Sequence, residues 1–405
     1  MRSSARALIL DITRQVARAG GAPLTGIDRV ERAYLAKLAT GDAPCLMLCK
    51  TALGSMIFGP EVAARILAWI DDPSSLPPAP LMGRMLARRR QNPDLEAALR
   101  PLARARLRPG ALGGWLAKAL PGGGLYLNVG HVNLSDQTLA EMHGVAGMTT
   151  AVMIHDTIPL DFPEYSADHA PTEFRKKLKA ALTHGDVILC PSGAVAADIA
   201  RWAARFDAVV PRLVAPLGVD LATPDNVIAP APPPYFVTLG TIEPRKDHGL
   251  LLDVWADFHA RLPPKDIPRL FIIGRRGWKN GAVFARLDSE AFMGQTVFEL
   301  PGLSDGAVAA LVQGACALLA PSRAEGFGLA PAEAAGRGVR VVAVDLAVTR
   351  EILGDYPIYL GPGDRYAWAD TITRMTKQAA SPKSGAGPAD IPDWTAHFNL
   401  VFSKL

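Results

Sequence analysis

The chain has 405 residues, and because single hydrophobic cores usually split beyond about 250–300 residues, two domains are expected. Its 49% hydrophobic and 20% charged residues exclude an intrinsically disordered protein. No uncharged apolar stretch reaches the roughly 18 residues of a membrane-spanning helix, and the ALIL run before Asp11 is too short for a signal peptide. We therefore expect a cytoplasmic protein, with a peripheral position on the inner face of the cytoplasmic membrane left open.

The net charge of +4 is unevenly distributed. Residues 81–120 contain nine Lys or Arg residues but only two acidic residues, Asp94 and Glu96, with apolar residues interleaved. This pattern predicts either an amphipathic surface for anionic lipid or an anionic acceptor, or a solvated basic helical face. No recognised binding motif accompanies it, so nucleic acid is not expected as a partner.

Short β-branched runs alternate with longer Ala-, Leu- and Arg-rich stretches, which is the βαβα rhythm of a parallel sheet. In the first half this rhythm predicts strands at 7–10, 45–48, 125–129, 150–154, 187–190 and 212–215. The intervening helices are predicted at 27–39, 173–183 and 194–206.

Residues 223–234 read TPDNVIAPAPPP, and five prolines predict an extended connector because proline fits neither a helix interior nor a central strand. The series then resumes with strands at 235–239, 269–273, 296–299, 317–320 and 339–344, and with helices at 249–262, 305–315, 330–336 and from 365 onward. The sequence therefore predicts an α/β protein with domains at 1–222 and 235–388, and a C-terminal helix in 389–405 that returns to the first domain. Two such domains place a ligand cleft at their facing strand ends.

The strongest motif is PSRAEGFGLAPAEAAGR at 321–337. It places Glu325 and Glu333 eight residues apart, on either side of a glycine loop that leads into a helix starting near Ala330. Glycine permits close backbone approach to a ligand, and a helix N-terminus attracts an anion. Two carboxylates there can accept hydrogen bonds from sugar hydroxyls. The alternative for Glu333 is an acid in a first helical turn, which the helix dipole favours.

Two further motifs follow predicted buried strands. GTIEPRK at 240–246 delivers Arg245 and Lys246 to a strand end, where fixed cations can stabilise a departing diphosphate. A solvated charge pair in a loop is the alternative. FIIGRRGW at 271–278 contains Gly274 and Trp278, which can line a pocket for a nucleotide base, although Trp278 is equally explained as a packing residue.

Together GTIEPRKDH, IIGRRGW, PGLSD, PSRAEGFGLAPAEA and TREILGDYPIYLGPGD resemble retaining glycosyltransferase family 4, whose GT-B fold sets two Rossmann-like domains across a cleft. These motifs are most similar to those of bacterial mannosyl- and rhamnosyltransferases that assemble surface polysaccharides. The resemblance covers the second half nearly end to end, and the first half at IHDTIP (154–159), DFPEY (161–165) and LTGIDRV (24–30). It implies that the first domain binds the acceptor and the second binds a nucleotide sugar.

The resemblance implies roles for individual residues. Arg245 and Lys246 would bind the diphosphate, Glu325 would hold donor-sugar hydroxyls, and His155 would touch the donor sugar or the reacting face. A simple hydrogen bond at a strand end is the alternative for His155. The implied donor-binding residues are Gly240, Gly274, Trp278, Leu303, Gly326, Phe327, Gly328, Leu329 and Glu333, the last on the ribose.

The loop that borders the phosphates and the acceptor entrance comprises Thr25, Gly26, Asp28 and Arg29. It departs from the family pattern, because Thr25 replaces the usual first glycine and Asp28 adds a charge. The contact of this loop with phosphate is therefore less secure, and Asp28 is interpreted as a residue that could favour a hydroxyl-rich acceptor.

No D-x-D triplet occurs in the sequence, so neither a metal nor another cofactor is expected, and cations with a helix end would do the electrostatic work. The resemblance implies retention, with the departing phosphate taking the acceptor proton and no protein nucleophile. Paired carboxylates also occur in retaining hydrolases, but the phosphate-binding features argue against that class. A Rossmann dehydrogenase would need a G-x-G-x-x-G after the first strand, which is missing.

The expected partners are a nucleotide sugar and a glycan or lipid-linked glycan acceptor. GDP-mannose is the favoured donor, with dTDP-rhamnose and UDP-glucose left open. Two alternatives of other classes remain, a nucleotide-sugar-binding GT-B partner protein without turnover and a GT-B nucleotide-sugar epimerase.

Overall fold

The computed structural model describes residues 6–18, 24–41, 45–77, 93–226, 233–379 and 387–405. Within these residues the chain forms an eight-stranded sheet before the Pro-rich run and a six-stranded sheet after it. Helices cover both sheets, so most strand residues are buried and the strands read as continuous apolar runs.

The first sheet has the strand order β4-β3-β2-β1-β5-β6-β7-β8. Its strands are β1 (Leu8–Asp11), β2 (Cys45–Thr51), β3 (Gly54–Phe58), β4 (Ala105–Leu107), β5 (Gly124–Asn128), β6 (Met148–Met153), β7 (Val187–Cys190) and β8 (Arg212–Val214). All neighbours pair in parallel except β3, which is antiparallel to both β2 and β4. A two-residue turn between β2 and β3 permits only an antiparallel hairpin, so the parallel rhythm inferred from the sequence stops at this edge.

The helices of the first half are α1 (Thr13–Arg18), α2 (Gly26–Ala39), α3 (Ala63–Asp71), α4 (Pro93–Leu99), α5 (Leu112–Ala119), α6 (Asp136–His143), α7 (Ile158–Asp161), α8 (Ala170–His184) and α9 (Gly193–Arg205). α2 shows why they pack: Val30, Tyr34, Leu35 and Leu38 recur at helical spacing and are all buried. The β3 and β4 strands and the short helices around them were not predicted from the sequence.

The second sheet has the order β11-β10-β9-β12-β13-β14, and all its pairs are parallel. Its strands are β9 (Tyr235–Leu239), β10 (Arg269–Ile273), β11 (Val297–Leu300), β12 (Leu318–Ala320), β13 (Val341–Val344) and β14 (Ile358–Leu360). The helices are α10 (His248–Arg261), α11 (Gly281–Ser289), α12 (Asp305–Gly314), α13 (Leu329–Gly336), α14 (Ala347–Leu353) and α15 (Arg365–Ala379). The order reverses beside β9, and open α/β sheets bind ligands at such points.

The C-terminal helix α16 (Trp394–Lys404) packs on the first half of the chain. The Tyr34 hydroxyl lies 2.8 Å from His397 Nε2, and His397 Nδ1 lies 2.9 Å from the Pro216 carbonyl oxygen. Since a carbonyl only accepts, Nδ1 donates and Nε2 accepts from Tyr34. The rings of Phe398 and Tyr34 also meet edge to face at 5.0 Å.

The basic segment is only partly covered, because residues 78–92, with four of its arginines, lie outside the described residues. In the described part, Arg100 pairs with Glu96 and Arg104 with Glu61, each at 2.6 Å. The membrane surface proposed for residues 81–120 is therefore not tested here. None of the described helices is both long enough and apolar enough to cross a bilayer.

Candidate functional site

The loops after the neighbouring strands β10, β9 and β12 meet at the carboxyl ends of these strands, and those after β9 and β10 approach each other most closely at two glycines. Gly240, directly after β9, has φ of 138°, and Gly274, after β10, has φ of 154°. A Cβ on Gly274 would lie 2.0 Å from the Gly240 carbonyl oxygen, so neither loop tolerates a side chain here. Gly240 lies under Lys246, whose Cε would be 3.3 Å from a Cβ at that position.

Four charged side chains form one network on these loops. Glu325 accepts from the Arg245 guanidinium at 2.7 Å and from Lys246 Nζ at 2.5 Å. Glu243 accepts from Arg245 Nε at 2.7 Å. The Arg245 guanidinium also donates to the Ala324 carbonyl oxygen at 2.9 Å, which fixes the β12 loop against the β9 loop.

Burial alone would raise the pKa of Glu325, but Arg245 and then Lys246 outweigh it and lower that pKa to about 2. Burial lowers the pKa of Lys246, although the attraction of Glu325 opposes the shift. Burial raises the pKa of Glu243, against the pull of Arg245. The carboxylate of Glu325 is thus ionised at neutral pH, with two cations aimed at one point.

The second domain touches the first through Gly326. A Cβ at Gly326 would lie 2.1 Å from the His155 carbonyl oxygen, so the loop after β12 and the segment after β6 are in direct backbone contact. Ser192 Oγ, at the start of α9, donates to the Gly326 carbonyl oxygen at 3.1 Å. Phe327 is buried, and Gly328 begins α13 with φ of 89°. The glycine loop therefore lies at the bottom of the interdomain contact.

His155 is buried at the end of β6, and its protonation follows from its partners. Its Nε2 lies 2.7 Å from the Val129 carbonyl oxygen, so Nε2 carries the proton and Nδ1 does not. Its backbone N–H donates to Nε2 of His131 at 3.0 Å. Burial lowers the pKa of His155 to about 4, so the ring is neutral at pH 7 and Nδ1 is an acceptor.

Glu333 faces the first domain from α13. Its Oε1 accepts from the Arg29 guanidinium at 2.7 Å, and the same guanidinium donates to Asp305 at 2.7 Å. Burial raises the pKa of Glu333, although Arg29 opposes the shift. These three side chains line a small cavity of about 20 Å³ between the domains. Arg29 thus contacts the carboxylate that is expected to hold the ribose, and its role beside the phosphates and the acceptor entrance stays a prediction.

Residues 223–384 match the family model of the glycosyl transferases group 1. Residues 223–384 thus form a glycosyltransferase group 1 domain. The network of Glu325, Arg245 and Lys246, together with Glu333, lies within this domain.

The chain is similar in sequence to two curated mannosyltransferases. It is 30% identical over 259 residues to the serotype-specific mannosyltransferase WbdA of Escherichia coli, and the match covers 59% of this chain and 31% of WbdA. It is 25% identical over 173 residues to the O-antigen chain mannosyltransferase RfbU of Salmonella typhimurium, with 42% of each covered. The chain therefore spans about a third of the length of WbdA.

Solved structures with similar folds cover both halves. Alr3699/HepE of Anabaena, in complex with UDP, has a TM-score of 0.62 at 16% identity and covers 99% of this chain and 100% of its own. The sucrose-phosphate synthase of Thermosynechococcus elongatus has a TM-score of 0.57 at 14% identity and covers 98% and 94%. The lipopolysaccharide outer core galactosyltransferase WaaB gives 0.55 at 15% identity, covering 98% and 99%. At these identities they show the fold alone, and that fold is GT-B.

The loop before α2 corrects one expectation about the first domain. Asp28 is buried, and its carboxylate accepts from Arg14 at 2.6 Å, from Arg18 at 2.9 Å and from the Thr25 backbone N–H at 2.7 Å. It thus closes a capping box at the start of α2 and is not available to an acceptor sugar. Gly26 meets the group 1 domain, since a Cβ there would lie 3.2 Å from Leu329 Cδ1.

Trp278 lies where the two domains meet. Its Nε1 donates to the carbonyl oxygen of Tyr165, in the first domain, at 2.8 Å, and 42% of the side chain is exposed. Leu303 is half-buried and packs on the core of the group 1 domain. The assignment of both residues to donor binding stays a prediction.

The sequence interpretation missed three residues of the site. Glu243 lies inside the GTIEPRK motif and orients Arg245, so its buried carboxylate could have been included. Arg14 joins Asp28 to the end of β5, and its guanidinium also donates to Thr25 Oγ1 at 3.2 Å. His131 accepts from the His155 backbone, 24 residues away, and nothing local in the sequence indicates that contact. No group of three or more metal-ligating side chains is assembled in the part of the chain that the structure describes.

Proposed function

We propose that the chain is a retaining glycosyltransferase that transfers mannose from GDP-mannose to a glycan acceptor without a metal ion. The observation that carries this proposal is the ionised Glu325 carboxylate held between Arg245 and Lys246, directly beside the contact with His155. A carboxylate that can bind sugar hydroxyls thus lies beside a pair of cations that can bind a diphosphate. Transfer from a nucleotide diphosphate sugar requires this arrangement.

The chemistry follows from these positions. Glu325 accepts hydrogen bonds from donor-sugar hydroxyls, while Arg245, Lys246 and the N-terminus of α13 bind the diphosphate. The bond between the anomeric carbon and the phosphate oxygen breaks, and the cations stabilise the charge that builds on the leaving phosphate. The acceptor hydroxyl bonds to the same face of the anomeric carbon, and its proton passes to the departing phosphate. No protein nucleophile takes part, and the configuration is retained.

The neutral His155 supplies an acceptor on the opposite side of the sugar. Its unprotonated Nδ1 can accept from a sugar hydroxyl, and it adds no positive charge near the anomeric carbon. Glu333 holds the ribose hydroxyls once Arg29 turns away from it. Two fixed cations neutralise the diphosphate, which is the electrostatic work that Mg²⁺ does in other transferases.

Donor and acceptor are proposed from the relatives. WbdA and RfbU are mannosyltransferases, and RfbU acts on the O-antigen chain, so GDP-mannose and a growing polysaccharide or lipid-linked glycan are the favoured pair. The dTDP-rhamnose and UDP-glucose donors are the competing candidates. We further propose a cytoplasmic location, with residues 81–120 on anionic lipid. Flotation with anionic but not neutral liposomes at low salt tests the lipid contact, and equal recovery with both would contradict it.

A donor panel tests the function. Thermal shift and turnover are measured with GDP-mannose, dTDP-rhamnose, UDP-glucose and UDP-N-acetylglucosamine, each with and without EDTA. We expect GDP-mannose to stabilise the wild type and to be consumed in EDTA. Glu325→Ala should lose turnover, whereas the control Glu173→Ala, an exposed carboxylate that pairs with Lys176, should keep it.

The panel also separates the alternatives. Binding without consumption in the presence of glycan acceptors would favour a partner protein, and conversion of the sugar without a glycan product would favour an epimerase. Loss of turnover in EDTA, restored by Mg²⁺, would overturn metal independence. If no nucleotide sugar binds, the proposed function fails.

A further inference from the structure

Three aromatic residues, which we call the aromatic mouth, cluster where the two domains meet, and two of their side chains are exposed. The rings of Phe162 and Tyr165 stack at 5.6 Å with an interplanar angle of 17°, and Trp278 is joined to Tyr165 by its Nε1 hydrogen bond. Phe162 is 39% exposed and Trp278 is 42% exposed. Large aromatic residues are normally covered in a folded protein, so an exposed group of them indicates a binding surface.

This aromatic mouth lies next to the proposed reaction centre. The turn Pro163–Tyr165 packs against the turn Pro244–Lys246, which carries the two cations. The Tyr165 hydroxyl hydrogen-bonds the Arg323 guanidinium, and the Arg323 backbone N–H donates to the Arg245 carbonyl oxygen at 2.8 Å. A molecule that lies on these rings can therefore extend toward the diphosphate site.

The chemistry of the mouth fits a sugar ring. One face of a hexose presents several C–H bonds of slight positive charge, and these pack on the negative face of an aromatic ring. Charged groups at the edge can bond the hydroxyls, because Asp168 is 93% exposed and Arg323 is 44% exposed. An apolar peptide surface would form few hydrogen bonds with these charged groups.

We propose that Phe162, Tyr165 and Trp278 form an acceptor subsite that binds a hexose unit of the glycan next to the one that is extended. The proposal rests on the proposed glycosyltransferase function. The subsite uses both domains, since Trp278, Lys279 and Arg323 come from the second domain and the other groups from the first. Lys279 Nζ reaches Asp168 at 2.6 Å across the same edge, so the subsite is complete only when the domains meet. A bound glycan therefore stabilises the closed cleft.

The test measures binding of α-linked mannotriose by ligand-observed NMR without any nucleotide sugar, and the acceptor KM with the same probe during turnover. Phe162→Ala and Trp278→Ala should each weaken binding and raise KM about tenfold, from the loss of one stacking face. Trp278→Phe keeps a ring but loses the bond to Tyr165, and should stay within about threefold of wild type. The GDP-mannose dissociation constant should not change in Phe162→Ala, because Phe162 is not among the predicted donor-binding residues.

Tyr366→Ala is the matched control, because Tyr366 is an exposed aromatic residue, 79% exposed, on α15 outside the cleft. It should leave mannotriose binding unchanged. Unchanged binding in Phe162→Ala and Trp278→Ala, an equal loss in Tyr366→Ala, or no mannotriose binding by the wild type would overturn the subsite. If no nucleotide sugar binds but mannotriose binding still depends on Phe162 and Trp278, the proposed transferase function fails while the glycan subsite stands.

Discussion

In the second domain, the charged side chains at the cleft pair with one another. Arg245 and Lys246 both contact Glu325, and the three lie on two adjacent loops. In the first domain, the charges near the cleft are buried behind it. Asp28 is fully covered by Arg14, Arg18 and its own helix start.

The hydrogen bonds of the first domain beside the cleft also join strand ends through neutral groups and do not position charged side chains. His131 and His155 are buried neutral rings that tie the ends of β5 and β6 together. Apart from Arg29 and Asp168, the first domain therefore presents backbone, neutral rings and aromatic faces, whereas the second presents mainly ions. In the proposed reaction, this division places the charge of the donor on one side of the cleft and the neutral sugar acceptor on the other.

The largest expected effect comes from removing a cation of the second domain. Lys246→Ala should lower kcat for GDP-mannose about 10²- to 10³-fold, because a fixed charge that stabilises the leaving phosphate is lost. The melting temperature should change by only a few degrees, since Arg245 still pairs with Glu325. Lys265→Ala, an exposed lysine in a turn, is the control and should keep full activity. A melting temperature that falls in step with activity would show that the network is structural.

The next largest effect concerns the backbone contact between the two domains at Gly326. A methyl group at Gly326 would lie 2.1 Å from the His155 carbonyl oxygen, so Gly326→Ala should keep the domains from meeting. A shift of about 1 Å in a reacting geometry costs about a hundredfold, and kcat should fall by that factor. Gly281→Ala is the matched control, because a Cβ there meets nothing within 4 Å. Full turnover in Gly326→Ala would show that the contact with His155 is not required.

The same division explains what the sequence could predict. The donor-side network lies in two short motifs, each directly after a buried strand, so residue type and strand position together indicated Arg245, Lys246 and Glu325. The parallel order of the second sheet followed from the same rhythm. The hairpin edge of the first sheet did not, because β3 and β4 are short and lack an alternating pattern.

The contacts between the two domains join residues that are distant in sequence, such as Trp278 with Tyr165, 113 positions apart. No local pattern reveals such partners. Asp28 was misread for another reason: T-G-I-D before an apolar helix has the spacing of a capping box, which accounts for the acid without a ligand. The pairing of Arg29 with Glu333 depends on how the domains meet, which is also not a local property.

A pH titration tests whether the first-domain face is neutral. The pKa of His155 is about 4 in the folded protein against 6.5 when unfolded, so between these values the unfolded state binds more protons. Stability then rises with pH across this window and is lost as pH falls below 6.5. For His155 alone the loss from pH 7 to pH 5 is about 2 kcal/mol.

Urea unfolding of His155→Asn should therefore show a smaller loss of stability between pH 7 and pH 5 than the wild type. His143→Asn is the control for the substitution itself, because the His143 side chain is 57% exposed. The same slope in His155→Asn and the wild type would mean that His155 is not buried as a neutral ring.

The smallest expected effect concerns a contact that joins the two domains at a distance from the proposed reaction centre. Glu351, on α14, accepts from the backbone N–H groups of Gly193 and Ala194 at 2.5 and 3.0 Å, so a carboxylate of the second domain caps α9 of the first. Glu351→Ala should cost up to about 1 kcal/mol. Because this cap crosses the domain boundary, its loss should open the cleft and increase the radius of gyration by small-angle scattering.

Ser135→Ala removes a comparable cap within the first domain, where Ser135 Oγ accepts from Thr138 at 3.2 Å. It should lower the melting temperature by a similar amount without changing the radius of gyration. If both variants keep the wild-type radius, the domains are held by the contacts at Gly326 and Trp278 instead. Closure would then depend on the ligand-facing residues themselves, and the cleft would open only when those contacts are exchanged for donor and acceptor.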